Sequence, residues 1–172
     1  ARRAAETFEA LPAEAREALE EVLPLLVSVD TAGEQNAVRR RAPLDDLTGT
    51  PAKRNLVETL IAARFLTTDE ESGTAIASLA HEALLRRWER ITLWINTNRD
   101  LLRMRARVEQ YQAMWEESGK DASRLLPEGL ALEEGRKLLE DATLLLDDKT
   151  KRFVDTSSKH QKEQQLRVTR RR

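Results

Sequence analysis

The sequence has 172 residues, 40% hydrophobic and 34% charged, with 29 Lys and Arg against 30 Asp and Glu for a formal net charge of −1. Such a balance argues against a chain dedicated to nucleic acid and fits a helix-rich protein of one sizeable domain or two small ones. It has no cysteine, which excludes disulfides and thiolate metal sites, and His81 and His160 are too far apart in sequence to suggest a metal pair.

In chain order, residues 4–29 read as a helix, with Pro12 at a tolerated early position and Ala15, Leu19, Val22, Leu23 and Leu26 as the buried stripe. Pro24 makes its last part irregular, and the turn-rich Asp30 to Glu34 ends it. Val38 to Ala42 reads as a short exposed strand, and Pro43 to Leu47 as one helical turn stopped at Gly49. Thr50-Pro51, a capping hydroxyl before a first-position proline, opens a helix over 51–65 that buries Leu56, Leu60, Ile61 and Phe65. Leu66 to Glu70 and Thr74 to Ala80 flank Glu71-Ser72-Gly73 as the strands of a hairpin.

From Glu82 the pattern is helical. A first helix over about 82–97 buries Leu84, Leu85, Trp88, Ile91 and Ile95, and pairs Glu82 with Arg86 on its exposed side. A second carries Leu101, Met104, Val108, Tyr111 and Trp115 as a narrow seam and stops at Ser118-Gly119. A third runs from Pro127 to Ala142, and Asp147 caps a fourth that buries Phe153 and Val154. Leu144-Leu145-Leu146, among the longest apolar runs, is far too short to span a bilayer.

The expected fold class is mainly α. A winged-helix domain over 1–80, three helices plus a small β-hairpin wing centred on Ser72-Gly73, precedes a helical subdomain over 81–157 and a polar, basic linker or projecting helix over 158–172. The ends, Ala1-Arg2-Arg3 and Arg170-Arg171-Arg172, give the chain the look of a fragment of a larger polypeptide.

The candidate chemistry is sparse. His81 falls where a strand meets a helix start, a place with unpaired backbone N–H groups that favours anions, so it either reads a phosphate or hydrogen-bonds backbone. Arg40, Arg41 and Arg54 would contact the phosphates if the winged helix bound DNA, but Glu58 and the acidic Asp69-Glu70-Glu71 would repel a duplex. Trp88, Trp94 and Trp115 lie on apolar stripes and read as core anchors. No catalytic or metal-ligating constellation emerges: Asp45-Asp46 and Asp147-Asp148 are explained by capping, and no G-x-x-x-x-G-K-[ST] pattern occurs.

His81-Glu-Ala-Leu-Leu-Arg-Arg-Trp88, with Trp94, Arg99, Leu102-Arg103 and Arg105, resembles the segment after the ATPase core in bacterial novel STAND P-loop NTPases. Trp115, Gly119, Asp121, Leu125-Leu126 and Gly129 downstream, and Arg39 to Leu44 and Leu56 to Asp69 upstream, extend the resemblance over roughly residues 6–160. Two places depart from the family pattern: Glu89 stands where proline is common, and Asn96-Thr97-Asn98 replaces an acidic stretch. The resemblance implies a cytoplasmic, regulatory, non-catalytic segment with no cofactor of its own. It would pack on the NTPase core of a parent protein that binds ATP or ADP with magnesium. A downstream effector (a WD40 propeller, helical repeats or a membrane-linked module beyond Arg172) and homo-oligomerisation on activation are also implied. His81 would be the sensor of the nucleotide phosphate. The alternatives are a DNA-binding winged-helix transcription regulator and a helical protein-interaction scaffold.

Overall fold

The computed structural model describes residues 2–31 and 36–171, so the turn expected over Asp30 to Glu34 lies mostly outside the described residues. The protein is mainly helical with small antiparallel sheets. Its residues gather into two compact units, Ala1–Arg99 and Asp100–Arg172, so that 81–99 belong with the first.

The single helix expected over 4–29 is three: α1 (Arg2–Glu9), α2 (Ala13–Glu17) and α3 (Leu19–Leu26), followed by strand β1 (Val27–Val29). Proline decides the first break. Pro12 sits at the N-cap of α2 with φ −57° and ψ 152°, and it disfavours helical backbone at the residue before it. After Leu26 the β-branched Val27 turns extended and pairs antiparallel with β2 (Ala37–Arg39). The expected stripe is buried all the same, because Ala15, Leu19, Val22, Leu23 and Leu26 point inward from the two shorter helices.

Strand β3 (Ala42–Pro43) leads into the single turn α4 (Leu44–Leu47) and then α5 (Pro51–Ala62), whose cap is as expected: the Thr50 hydroxyl accepts the Lys53 N–H at 3.2 Å. The helix ends before residue 65. Arg64 takes φ 65° and the Phe65 N–H returns to the Leu60 carbonyl, leaving Leu56, Val57 and Leu60 as the buried positions. Strands β4 (Leu66–Glu71) and β5 (Thr74–Leu79) form the hairpin. Ser72 and Gly73, at φ 51° and 79°, supply the paired left-handed residues that a two-residue type I′ turn requires. The order in this sheet is β3-β5-β4.

The helix expected over 82–97 is interrupted. It becomes α6 (Ala83–Arg87) and α7 (Glu89–Glu117), separated by Trp88 in extended backbone with ψ 106°. No glycine or proline lies between Ala83 and Glu117, so nothing local stops α7 near residue 98 and nothing local breaks the chain at 88. The break comes from packing. The Trp88 indole meets the Phe8 ring edge-on, with centroids 5.5 Å apart and planes at 72°, and both residues are buried. The Arg90 guanidinium lies 4.9 Å over the Phe8 ring and donates to Glu9 Oε1 at 3.0 and 2.8 Å, while Arg16 reaches Glu9 Oε2 at 3.1 Å.

In the second unit the buried ridge of α7 is Leu102, Arg105, Val108 and Gln112, set round from the expected seam. Leu101, Met104, Tyr111 and Trp115 are only half-buried. Two polar members hid this ridge from a hydrophobic reading: Arg105 lies 3.4 Å from Glu109, and Gln112 Oε1 accepts the Thr150 hydroxyl at 2.7 Å. Helix α8 (Leu130–Glu140) starts later than expected, because Gly129 at φ 97° turns the chain first. Helix α9 (Asp148–Arg170) opens on the expected cap, Asp147 Oδ1 accepting the Thr150 N–H at 2.7 Å, and its exposed part runs on to Arg170. Gly135 lets α8 approach closely, since a Cβ there would lie 3.0 Å from Leu126 and 3.2 Å from Val154. The Trp115 and Phe153 rings meet with centroids 5.2 Å apart and planes tilted by 43°.

The hydrogen bond from Arg90 leads in holding the Glu9 carboxyl below the ordinary carboxylate range. A depressed carboxyl contributes stability above its unfolded pKa and loses it as pH falls through the folded one. Glu9→Gln should therefore lower the melting temperature at pH 7 and lower it less at an acid pH, because the wild-type carboxyl loses its advantage as pH falls through its folded pKa. Melting curves at the two pH values check this.

Candidate functional site

The candidate site is the junction where β5 gives way to α6. The Ala80 N–H donates to the Phe65 carbonyl at 2.9 Å, closing the hairpin. The chain then turns through His81 and Glu82, whose carbonyls accept the Leu84 and Leu85 N–H groups at 3.1 and 3.0 Å. His81 is exposed, and its imidazole has no hydrogen-bond or ionic partner among the described residues. The helix expected behind it is cut to the five residues of α6, so little dipole stands at its start. What an anion would meet here is side chains.

Arg39, at the end of β2, holds this turn from the outside. One guanidinium nitrogen, Nη1, donates to the Leu79 and Ala80 carbonyls at 3.2 and 3.3 Å, and Nε lies 3.9 Å from the Glu82 carboxylate. Glu82 is thus turned toward Arg39, and the expected pair with Arg86 does not form. The backbone before His81 and the carboxylate after it are both met by one residue from another strand.

A shallow depression of about 350 Å³ opens beside this junction, lined by Arg39, Arg41, Thr67, Asp69, Ser78 and Glu82 together with Ile76. Its floor follows from register: Thr67 faces Ser78 and Asp69 faces Ile76 across the hairpin, so these four share one side of the sheet. Arg41 bonds Asp69 and Glu71 at 3.4 and 3.1 Å.

The other cations named from sequence are placed apart from this depression. Arg40 is half-buried and its N–H donates to the Leu26 carbonyl at 2.9 Å. Arg54 is exposed in the first turns of α5 and lines no part of the depression. Sequence reading grouped Arg39 only with a basic run and missed its role as a clamp. The signal that could have found it is an alternation carried on past the end of β2, since Arg39 and Arg41 line the depression and Arg40 between them does not. Among the described residues no cluster of three or more metal-ligating side chains forms, and no helix is long and apolar enough to cross a membrane.

A family model described as novel STAND NTPase 1 matches residues 1–123. The chain belongs to that family. The match takes in the first unit, all of α7 and the turn after it, while α8 and α9 lie outside it. No curated protein and no solved structure matches the chain. The novel STAND NTPase family sets an NTPase context around a chain whose own sequence carries no P-loop pattern.

If Arg39 fixes the junction, Arg39→Ala should speed amide exchange across Ala80 to Leu85 by about tenfold without loss of the fold. Arg39→Lys should restore only part of the protection, because an ammonium lacks the planar fork that reaches two carbonyls and a carboxylate together. Hydrogen exchange read by mass spectrometry or NMR checks both.

Proposed function

We propose that this chain is a regulatory, non-catalytic segment of a novel STAND signal-transduction NTPase. It packs on the nucleotide-binding core of the parent protein, favours the closed ADP-bound state, and passes the change to ATP on to a downstream effector or to oligomerisation. In this reading α5 and the β4–β5 hairpin are the helix and wing of a winged helix, and the helices beyond carry the output.

The observation that carries the proposal is the exposed imidazole of His81, without a partner among the described residues, on a turn that Arg39 holds in place. A side chain offered to solvent from a fixed backbone is pre-organised to meet a group on another surface. An imidazole suits a phosphate oxygen, and a difference in contact between diphosphate and triphosphate states is what shifts a two-state equilibrium. Magnesium and the rest of the nucleotide would be held by the core. The family match and the absence of a phosphate cradle in this sequence support that division of labour.

A DNA-binding winged helix has less support. Arg41 is engaged by Asp69 and Glu71, which places carboxylates where a duplex phosphate would have to come.

The test is His81→Ala in the full-length parent protein. Loss of a charge-assisted contact of the usual strength predicts ADP release faster by about tenfold, with raised basal signalling. Unchanged ADP retention and basal activity would refute the sensor role. Salt-steep DNA binding that Arg41→Ala and Arg54→Ala abolish would favour the transcription-regulator reading instead.

A further inference from the structure

The break at Trp88 has the makings of a switch. From Ala83 to Glu117 the sequence holds no glycine or proline, and around Trp88 no capping residue either, so local preference there is for unbroken helix. The structure shows two helices, with Trp88 extended between them. A local preference that loses to tertiary contacts is bistable: remove the contacts and the preference returns.

The contacts are few and specific. From the side of α1, Phe8 receives the Trp88 indole, and Glu9 takes the fork of Arg90, whose guanidinium also covers the Phe8 ring. From within α7, Thr92 splices the gap. Its hydroxyl lies 3.2 Å from both the Leu85 and the Trp88 carbonyls. The Leu85 carbonyl is the acceptor that the Glu89 N–H would take in a continuous helix, so the hydroxyl satisfies a group that the break would otherwise leave open.

We infer that α1 is a latch on a helical switch: docked, it holds α6 and α7 apart at Trp88, and undocked, it lets residues 83–117 run as one rod. This goes beyond the sensor role of His81 and stands without it. Straightening takes Trp88 ψ from 106° to about −42°, and it redirects α6, which follows the His81 turn, relative to the start of α7. Anything that draws α1 away, a pull from a neighbouring module included, would then reset the direction of the helix.

The test uses the 172-residue chain and the backbone of Trp88 as reporter. Phe8→Leu with Glu9→Lys removes the ring that receives Trp88 and the carboxylate that holds Arg90, and keeps an apolar side chain in the core. The Trp88 Cα chemical shift should move from the extended to the helical side, and amide exchange at Glu89, Arg90 and Ile91 should slow by about tenfold as helical bonds form. Thr92→Val alone should give a shift of the same sign and smaller size. Adding Glu89→Pro, which suits the first position of α7 and forbids helical Trp88, should return the shift to its wild-type value. A Trp88 shift that stays extended in both variants would overturn the inference, since the break would then be intrinsic. Unfolding of the double variant would overturn it too, since the latch would then be a support of the fold.

Discussion

One contact organises the first unit: the Trp88 indole seated edge-on against Phe8. Both residues are buried, and where they meet the chain leaves helical geometry at 88. The charged shell outside them follows from the same placement. Arg90 lies over the ring and forks onto Glu9, and Glu9 is shared with Arg16, so α1, α2 and the start of α7 are tied at one point. An edge-to-face pair of this kind contributes about 0.5–1.5 kcal/mol beyond the apolar area it buries. A straight helix would add bonds from the Glu89, Arg90 and Ile91 N–H groups at about 0.5–1.5 kcal/mol each, so the ring pair holds the break together with the apolar area both side chains bury and the Thr92 hydroxyl on the Leu85 carbonyl.

The His81 turn is fixed by a different device. It is held by a side chain some forty residues earlier, Arg39, which donates to the Leu79 and Ala80 carbonyls and lies beside the Glu82 carboxylate. The imidazole between those anchors is exposed and has no partner among the described residues. Under the proposed function, the counterpart of this outward group is a phosphate held by the parent protein's nucleotide-binding core.

Much of this was readable from residues alone. The Thr50-Pro51 start, the Ser72-Gly73 turn and the Asp147 cap are decided by chemistry within a few residues, and all three stand where the pattern puts them. The misses have long-range causes. Trp88 breaks a helix because of Phe8, some 80 residues away, and no window of local sequence contains both. The ridge of α7 was misplaced because Arg105 and Gln112 are buried with partners, which hydrophobicity does not register. Arg39 was hidden for the same reason, since its partners are backbone carbonyls forty residues on.

The central claim is that the Phe8–Trp88 contact, rather than the local sequence, makes the break. A double-mutant cycle with Phe8→Leu and Trp88→Leu, measured by denaturant unfolding, isolates the pairwise term from the cost of each lost ring. A coupling of about 1 kcal/mol in favour of the pair is expected. Strictly additive losses would mean that the two rings are buried side by side without acting on one another, and the account built on them would fail.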